Sequence, residues 1–109
     1  METLKKNYEF RRLYSKGKSA VNGLMVVYCR PNGGNGSRVG YTVSNKIGNA
    51  VTRNRIRRRL REIYRLNLYR LPAGVDIVIV ARGRAAQADY AQLERAFMSG
   101  CEKLGVIKQ

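Results

Sequence analysis

The order of periodic segments along the chain predicts an α+β fold: a single-domain α-β-β-β-α-β-α sandwich, with helices packed on one small sheet. Three observations carry this. Three separated stretches repeat their apolar residues at the helical period. The segments between them alternate, or run continuously apolar, and are rich in Val and Ile. The 109 residues contain no linker and suffice for one core, so residues 1–109 form one domain.

The first helix is expected over residues 8–16, with Asn7 as its cap and Gly17 ending it in the left-handed conformation. Phe10, Leu13 and Tyr14 share its apolar stripe. A short strand is expected near residues 19–21. Two longer ones, 24–30 and 38–44, flank the turn Asn32-Gly33-Gly34-Asn35-Gly36-Ser37. Alternation places Met25, Val27 and Cys29 on one face, and Leu24, Val26, Tyr28 and Arg30 on the other. The second helix is expected from residue 49 or 52 to about 69, where Pro72 and Gly74 break the chain. Residues 75–81 read as a strand buried on both faces. The last helix spans 90–104, with Asp89 and Gln92 as a capping box, Tyr90, Leu93, Phe97, Cys101 and Leu104 as its apolar face, and Gly105 as its stop.

Composition narrows function. Lys and Arg number 22 against 7 acids, a net charge of +15, and polyanions are the expected partners. Arg outnumbers Lys 15 to 7; its forked guanidinium binds phosphate bidentately and stacks on bases, which favours nucleic acid. There is no histidine, so a His-based nuclease is excluded. Cys29 and Cys101 follow no ligand spacing and read as free, buried thiols. No protein-held metal site is expected. The longest apolar run is residues 24–29, far short of a membrane helix, and residues 1–6 lack the apolar segment of a secretory signal. The expectation is a cytoplasmic protein without membrane contact or an obligate protein partner.

The second helix concentrates the charge. From Lys46 to Arg70 there are nine basic residues and one acid, Glu62. Thr52, Ile56, Leu60, Ile63 and Tyr64 share the face that must pack on the sheet. Arg57, Arg58, Arg61 and Arg65 fan across the opposite face with Asn54, and Arg53 and Arg55 flank the start. Arg53, Arg57, Arg61 and Arg65 succeed one another at i+4, where like charges destabilise a helix by a few tenths of a kcal/mol each. Many of these charges also lie toward the positive end of the helix dipole. Nothing in the pattern requires that cost, and a bound polyanion would relieve it. Gly48 and Asn49 precede the helix; exposed N–H groups at such a start suit phosphate, although many helices begin this way.

The run Lys46-Ile47-Gly48-Asn49-Ala50-Val51-Thr52-Arg53-Asn54-Arg55-Ile56-Arg57-Arg58-Arg59-Leu60-Arg61 closely resembles the signature of the bacterial ribonuclease P protein family, with Arg53-Asn54-Arg55 as its "RNR" core. Residues 38–44, Leu4-Lys5-Lys6, Phe10 and residues 76–82 resemble the family's flanking stretches, so the likeness covers nearly the whole chain. The resemblance implies a left-handed βαβ crossover containing the arginine helix. It also implies a cofactor protein whose catalytic centre belongs to a large RNA carrying Mg²⁺, and a holoenzyme that cleaves the 5′ leader from precursor tRNA. Lys46, Asn49, Arg53, Asn54, Arg55, Arg58 and Arg61 would then face the catalytic RNA; Arg57 and Arg65, on the same helix, are counted with them. Phe10, Tyr14 and Tyr28 would line the leader-binding cleft, where unpaired bases stack on aromatic rings. For Phe10 and Tyr14, plain core packing remains the alternative. Tyr14 stands where many relatives carry Phe, and Asn45 where Lys is common.

Other readings differ in class. A structural RNA-binding protein, such as a ribosomal one, accounts for charge and arginine helix equally well. A DNA-binding protein would lay that helix in a groove, yet no dimerisation element is visible. A protein-only nuclease needs converging acids, and Asp76, Asp89, Glu94 and Glu102 form no obvious set.

Overall fold

The computed structural model describes residues 2–107. The elements are β1 (Glu2–Thr3), α1 (Asn7–Lys16), β2 (Lys18–Val21), β3 (Met25–Pro31), β4 (Arg38–Thr42), α2 (Ala50–Asn67), β5 (Val75–Ala81) and α3 (Tyr90–Lys103), with 3₁₀ turns at Asn45–Ile47, Leu68–Arg70 and Gly83–Gln87. The expected sandwich is present, with β1 as an addition: two residues too few to show a period. Their N-terminal segment lies parallel to β4, and the Leu4 N–H donates to the Val39 carbonyl (2.8 Å).

The sheet order is β1-β4-β5-β3-β2, with β4 parallel and β3 antiparallel to β5. As the central strand, β5 is covered on both sides. Ile77 and Ile79 join Met25, Val27, Val39, Ile56, Leu60, Ile63, Leu93 and Phe97 in the core beneath α2 and α3. Val78 meets Leu4 and Leu13 beneath α1. The alternation expected in β3 holds from Met25 on: Met25, Val27 and Cys29 are buried, and Val26, Tyr28 and Arg30 are half-buried on the other face. Leu24, expected on that second face, precedes the strand and packs with the Met25 core instead. Cys29 and Cys101 are both free and buried.

Backbone chirality sets the hand of the β4–α2–β5 connection. The Arg82 N–H donates to the Leu24 carbonyl (2.9 Å) and the Asn32 N–H to the Gly74 carbonyl (2.8 Å), so directly opposed pairs in this register exchange hydrogen bonds. Even-numbered β5 residues therefore aim their N–H and C=O groups at β3, and odd-numbered residues at β4. Viewed from the α2 face with β5 running upward, L-residues whose side chains face the viewer direct those groups to the right. Thus β4 lies to the right of β5, and the crossover moves leftward over the helix. It is left-handed, an exception to the usual rule.

The caps of α1 correct two expectations. Asn7 is the first residue of α1 and does not cap it; Glu9 does so from within the first turn, its carboxylate accepting from the N–H groups of Lys6 (3.1 Å) and Lys5 (3.3 Å). Gly17 is extended, with φ −79°, and not left-handed. Glycine is needed there for space: a Cβ would lie 2.6 Å from the Leu13 carbonyl oxygen and 2.8 Å from that of Cys29. The last helix ends as expected. Gly105 takes φ +73°, and the Val106 N–H reaches back to the Cys101 carbonyl (3.0 Å).

Candidate nucleic-acid interface

Asn49 caps α2, accepting from the Thr52 N–H at 2.9 Å, and Ser44 caps the preceding 3₁₀ turn, accepting from the Lys46 N–H at 3.0 Å. Ile56, Leu60, Ile63 and Tyr64 are buried as their spacing predicts, and Asn67 continues the stripe. The arginines divide into two sets. Arg58, Arg61 and Arg65 are exposed, together with Lys46, Asn49 and Asn54. Arg65 is paired with Glu62 at 2.5 Å; Arg58 and Arg61 have no partner among the described residues.

The other four arginines are half-buried and bond to main-chain carbonyls. On one flank of α2, Arg53 Nη1 donates to Gly48 O (2.8 Å) and Arg57 Nη2 to Val43 O (3.3 Å). On the other flank, Arg55 Nη2 donates to Ala86 O (3.0 Å) and Arg59 Nη1 to Ala88 O (3.1 Å). Each i, i+4 pair thus clamps a loop: residues 43–48 on one side, 83–88 on the other. This corrects two expectations. Arg57 does not fan freely into solvent with Arg58, Arg61 and Arg65, and the fold does need part of the charge run. The Nε atoms of Arg53 and Arg55 are buried without an acceptor.

On the opposite face of the sheet, α1 lies across β4, β5 and β3. Phe10 rests on Gly40, where a Cβ would come within 2.6 Å of its ring. Tyr14 Oη and Thr42 Oγ1 are 2.8 Å apart and share a hydrogen bond. The Tyr14 ring meets Tyr28 edge-on at 5.0 Å between centroids, and Phe10 at 6.5 Å. The three aromatic residues therefore converge, as expected of them. Phe10 and Tyr28 also pack against Leu4, Leu13 and Val78, while Tyr14 is 39% exposed. Core packing and an open aromatic face coexist here.

An open groove of about 480 Å³ runs beside Phe10 and Tyr14, and its far wall carries Arg57. Arg57 thus joins the arginine helix to the aromatic groove. The spacing of α2 could not reveal this, because the groove exists only once β4 places Thr42 and Val43 beside α1.

A third feature was absent from the sequence reading. Arg38 binds Asp76 through Nε (3.0 Å) and Nη2 (2.6 Å), and pairs with Glu9 through Nη1. Asn32 Nδ2 also donates to Asp76 (2.9 Å). The hydrogen bond from the Lys6 N–H, aided by Lys5 and Arg38 against partial burial, holds the Glu9 carboxyl below its ordinary range. Among the described residues, no group of three His, Cys, Asp or Glu side chains could hold a metal ion, and no helix is long and apolar enough to cross a membrane.

Comparison with known proteins gives this arrangement its relatives. A family model for ribonuclease P matches residues 1–105. The chain belongs to the ribonuclease P protein family. The ribonuclease P protein component of Alkaliphilus oremlandii is 43% identical over 104 residues, covering 95% of this chain and 91% of that protein. That of Caldanaerobacter subterraneus is 48% identical over 93 residues, 85% of this chain and 80% of that protein. Among solved structures, the Staphylococcus aureus RNase P protein superposes with a TM-score of 0.90 at 34% identity, covering 99% of both chains. The Thermotoga maritima RNase P protein gives 0.82 at 33% identity, covering 91% of this chain and 94% of the other. The ribonuclease P fold is thereby shown for the whole described chain, and the family ties it to tRNA processing.

Proposed function

We propose that this chain assembles with the catalytic RNA of ribonuclease P, binds the 5′ leader of precursor tRNA, and so assists Mg²⁺-dependent removal of that leader. The observation that carries this reading is the junction at Arg57, where a strongly basic helix meets an open aromatic groove. Lys46, Asn49, Asn54, Arg58, Arg61 and Arg65 offer exposed contacts for the catalytic RNA. Arg53, Arg55 and Arg57 contribute through the donors their carbonyl partners leave over: a guanidinium has five N–H groups and each uses only one or two here. Phe10, Tyr14 and Tyr28 supply ring faces and edges for unpaired leader bases, a mode of binding tolerant of sequence.

Glu9, Asp76, Glu62 and Asp89 are committed to Arg38, Arg65 and the α3 cap, which suits a protein that positions RNA and leaves hydrolysis to RNA-bound Mg²⁺. The protein's positive charge then lowers the Mg²⁺ needed to hold the RNA partners together. Its place of work is the cytoplasm. Reconstitution with the cognate catalytic RNA, followed by precursor tRNA cleavage at low Mg²⁺, tests the proposal. The holoenzyme should cleave where the RNA alone is slow, and RNA-free protein should cleave nothing. Specific cleavage by rigorously RNA-free protein, or copurification with ribosomal RNA alone, would refute it.

A further inference from the structure

The α1 helix divides one face of the sheet into two hollows. The aromatic groove lies on the side of Thr42, and Tyr28 meets it only through the Tyr14 ring. On the other flank is a separate hollow of about 240 Å³, lined by Tyr8, Arg12, Arg30, Pro31 and Asn32 above Arg38, Glu9 and Asp76. Strand register explains its charge. Arg30, Asp76 and Arg38 occupy one row across β3, β5 and β4. Arg38 takes both Asp76 oxygens and also Glu9, so the two acids in the hollow face a cation they already share. Their side chains are only 10% and 13% exposed. Arg12 and Arg30 have no acidic partner among the described residues. Beside them stands Tyr8, 49% exposed, with Arg12 Cζ 5.8 Å and Lys6 Nζ 5.9 Å from its ring centroid.

We propose that this hollow is a second nucleotide-binding site for single-stranded RNA, with a base stacked on the Tyr8–Arg12 pair and the adjoining phosphate held between Arg12 and Arg30. An exposed ring beside unpaired guanidinium groups, with carboxylates locked away, is the chemistry that captures a nucleotide without reading its identity. A route from the first groove exists. Arg11 lines the aromatic groove and Arg12 the second hollow, so a strand leaving one reaches the other by crossing α1, about 10 Å in width. The occupant is then the upstream part of a leader whose nearer nucleotides fill the aromatic groove, which rests on the function proposed above.

The test uses holoenzyme assembled with the catalytic RNA and precursor tRNAs whose leaders are shortened stepwise from the 5′ end. Wild-type affinity should rise in two steps as the leader lengthens. Tyr8→Ala and Arg30→Gln should match wild type on the shortest leaders and lose the second step, a deficit on the order of tenfold for one stacked base. Variants that follow wild type at every length overturn the proposal. So do variants that lose equally at every length and on mature tRNA, since that marks a folding defect. Tyr14→Ala serves as the reference, since Tyr14 lines the aromatic groove. If it loses the first step while Tyr8→Ala is silent, the second site alone fails. If it is silent while Tyr8→Ala loses the long-leader gain, the aromatic groove assignment fails and the second site stands.

Discussion

Two arginines of the same helix show how differently one residue type can serve. Arg55 holds Ala86 O at 3.0 Å from a half-buried position, whereas Arg58 is exposed and makes no bond within the described chain. Removing Arg55 strips a charged donor from a carbonyl and opens space beside α2, so Arg55→Ala should cost about 1–3 kcal/mol of stability and also weaken RNA binding. Arg58→Ala should leave the melting temperature in place and weaken only holoenzyme assembly. Thermal melts paired with affinities for the catalytic RNA check this, and equal melting temperatures for the two variants would remove the clamp. Tyr28 combines two roles in one side chain, packing against Leu4 and Leu13 while its ring edge meets Tyr14. Tyr28→Ala should therefore lower the melting temperature and, in addition, weaken precursor tRNA more than mature tRNA by about 1–3 kcal/mol. Loss of stability with equal losses for the two tRNAs would assign the ring to the core alone. The pairing of Phe10, Tyr14 and Tyr28 was legible from their faces on α1 and β3. The Tyr14–Thr42 hydrogen bond was not, because it joins residues 28 apart that only the sheet brings together.

At the scale of elements, the arginine run in α2 is both clamp and interface. Its like-charge spacing is offset on the flanks by the carbonyls of residues 43, 48, 86 and 88, while the crest stays open to solvent. Each phosphate contact made by the crest releases counterions, so the double variant Arg58→Gln, Arg61→Gln should reduce the slope of log affinity against log salt by about 1.5–2. A slope unchanged within error would place the catalytic RNA elsewhere. The junction between α1 and β2 depends on space. With Leu13 O and Cys29 O already within 3 Å of where a Cβ would sit, Gly17→Ala must push α1 away from β3, at a cost of about 1–3 kcal/mol. Urea unfolding of this variant measures that cost, and a midpoint equal to wild type would show that α1 can shift freely. The sequence marked Gly17 as a helix stop but misassigned the cause, since backbone crowding between distant segments leaves no local pattern.

At the scale of the molecule, burial governs the response to alkali. Loss of solvent around Tyr64, aided by Asp76 and Cys101, pushes its hydroxyl up to about 12 from an ordinary 10, and burial pushes the Cys101 thiol up to about 12 from 9. The folded chain holds these protons more tightly than the unfolded chain does. Their contribution to stability is therefore complete below pH 9 and disappears as pH climbs toward 12. Urea midpoints should be flat from neutral pH to about 9 and fall above it, in step with tyrosinate absorbance. A constant midpoint above pH 10 would mean that these groups titrate alike in both states. The sequence by itself determined the class of fold, the doubly buried β5, the cap and stop of α3, the basic helix and its apolar stripe, because each of these is written in local period, charge or cap chemistry. Only the tertiary structure decided which arginines clamp loops and which face outward, how Arg57 links α2 to the aromatic groove, and how Arg38 ties Glu9 to Asp76. Those outcomes depend on strand register and on a left-handed crossover that bring remote segments within a few ångströms, and no local pattern encodes such proximity.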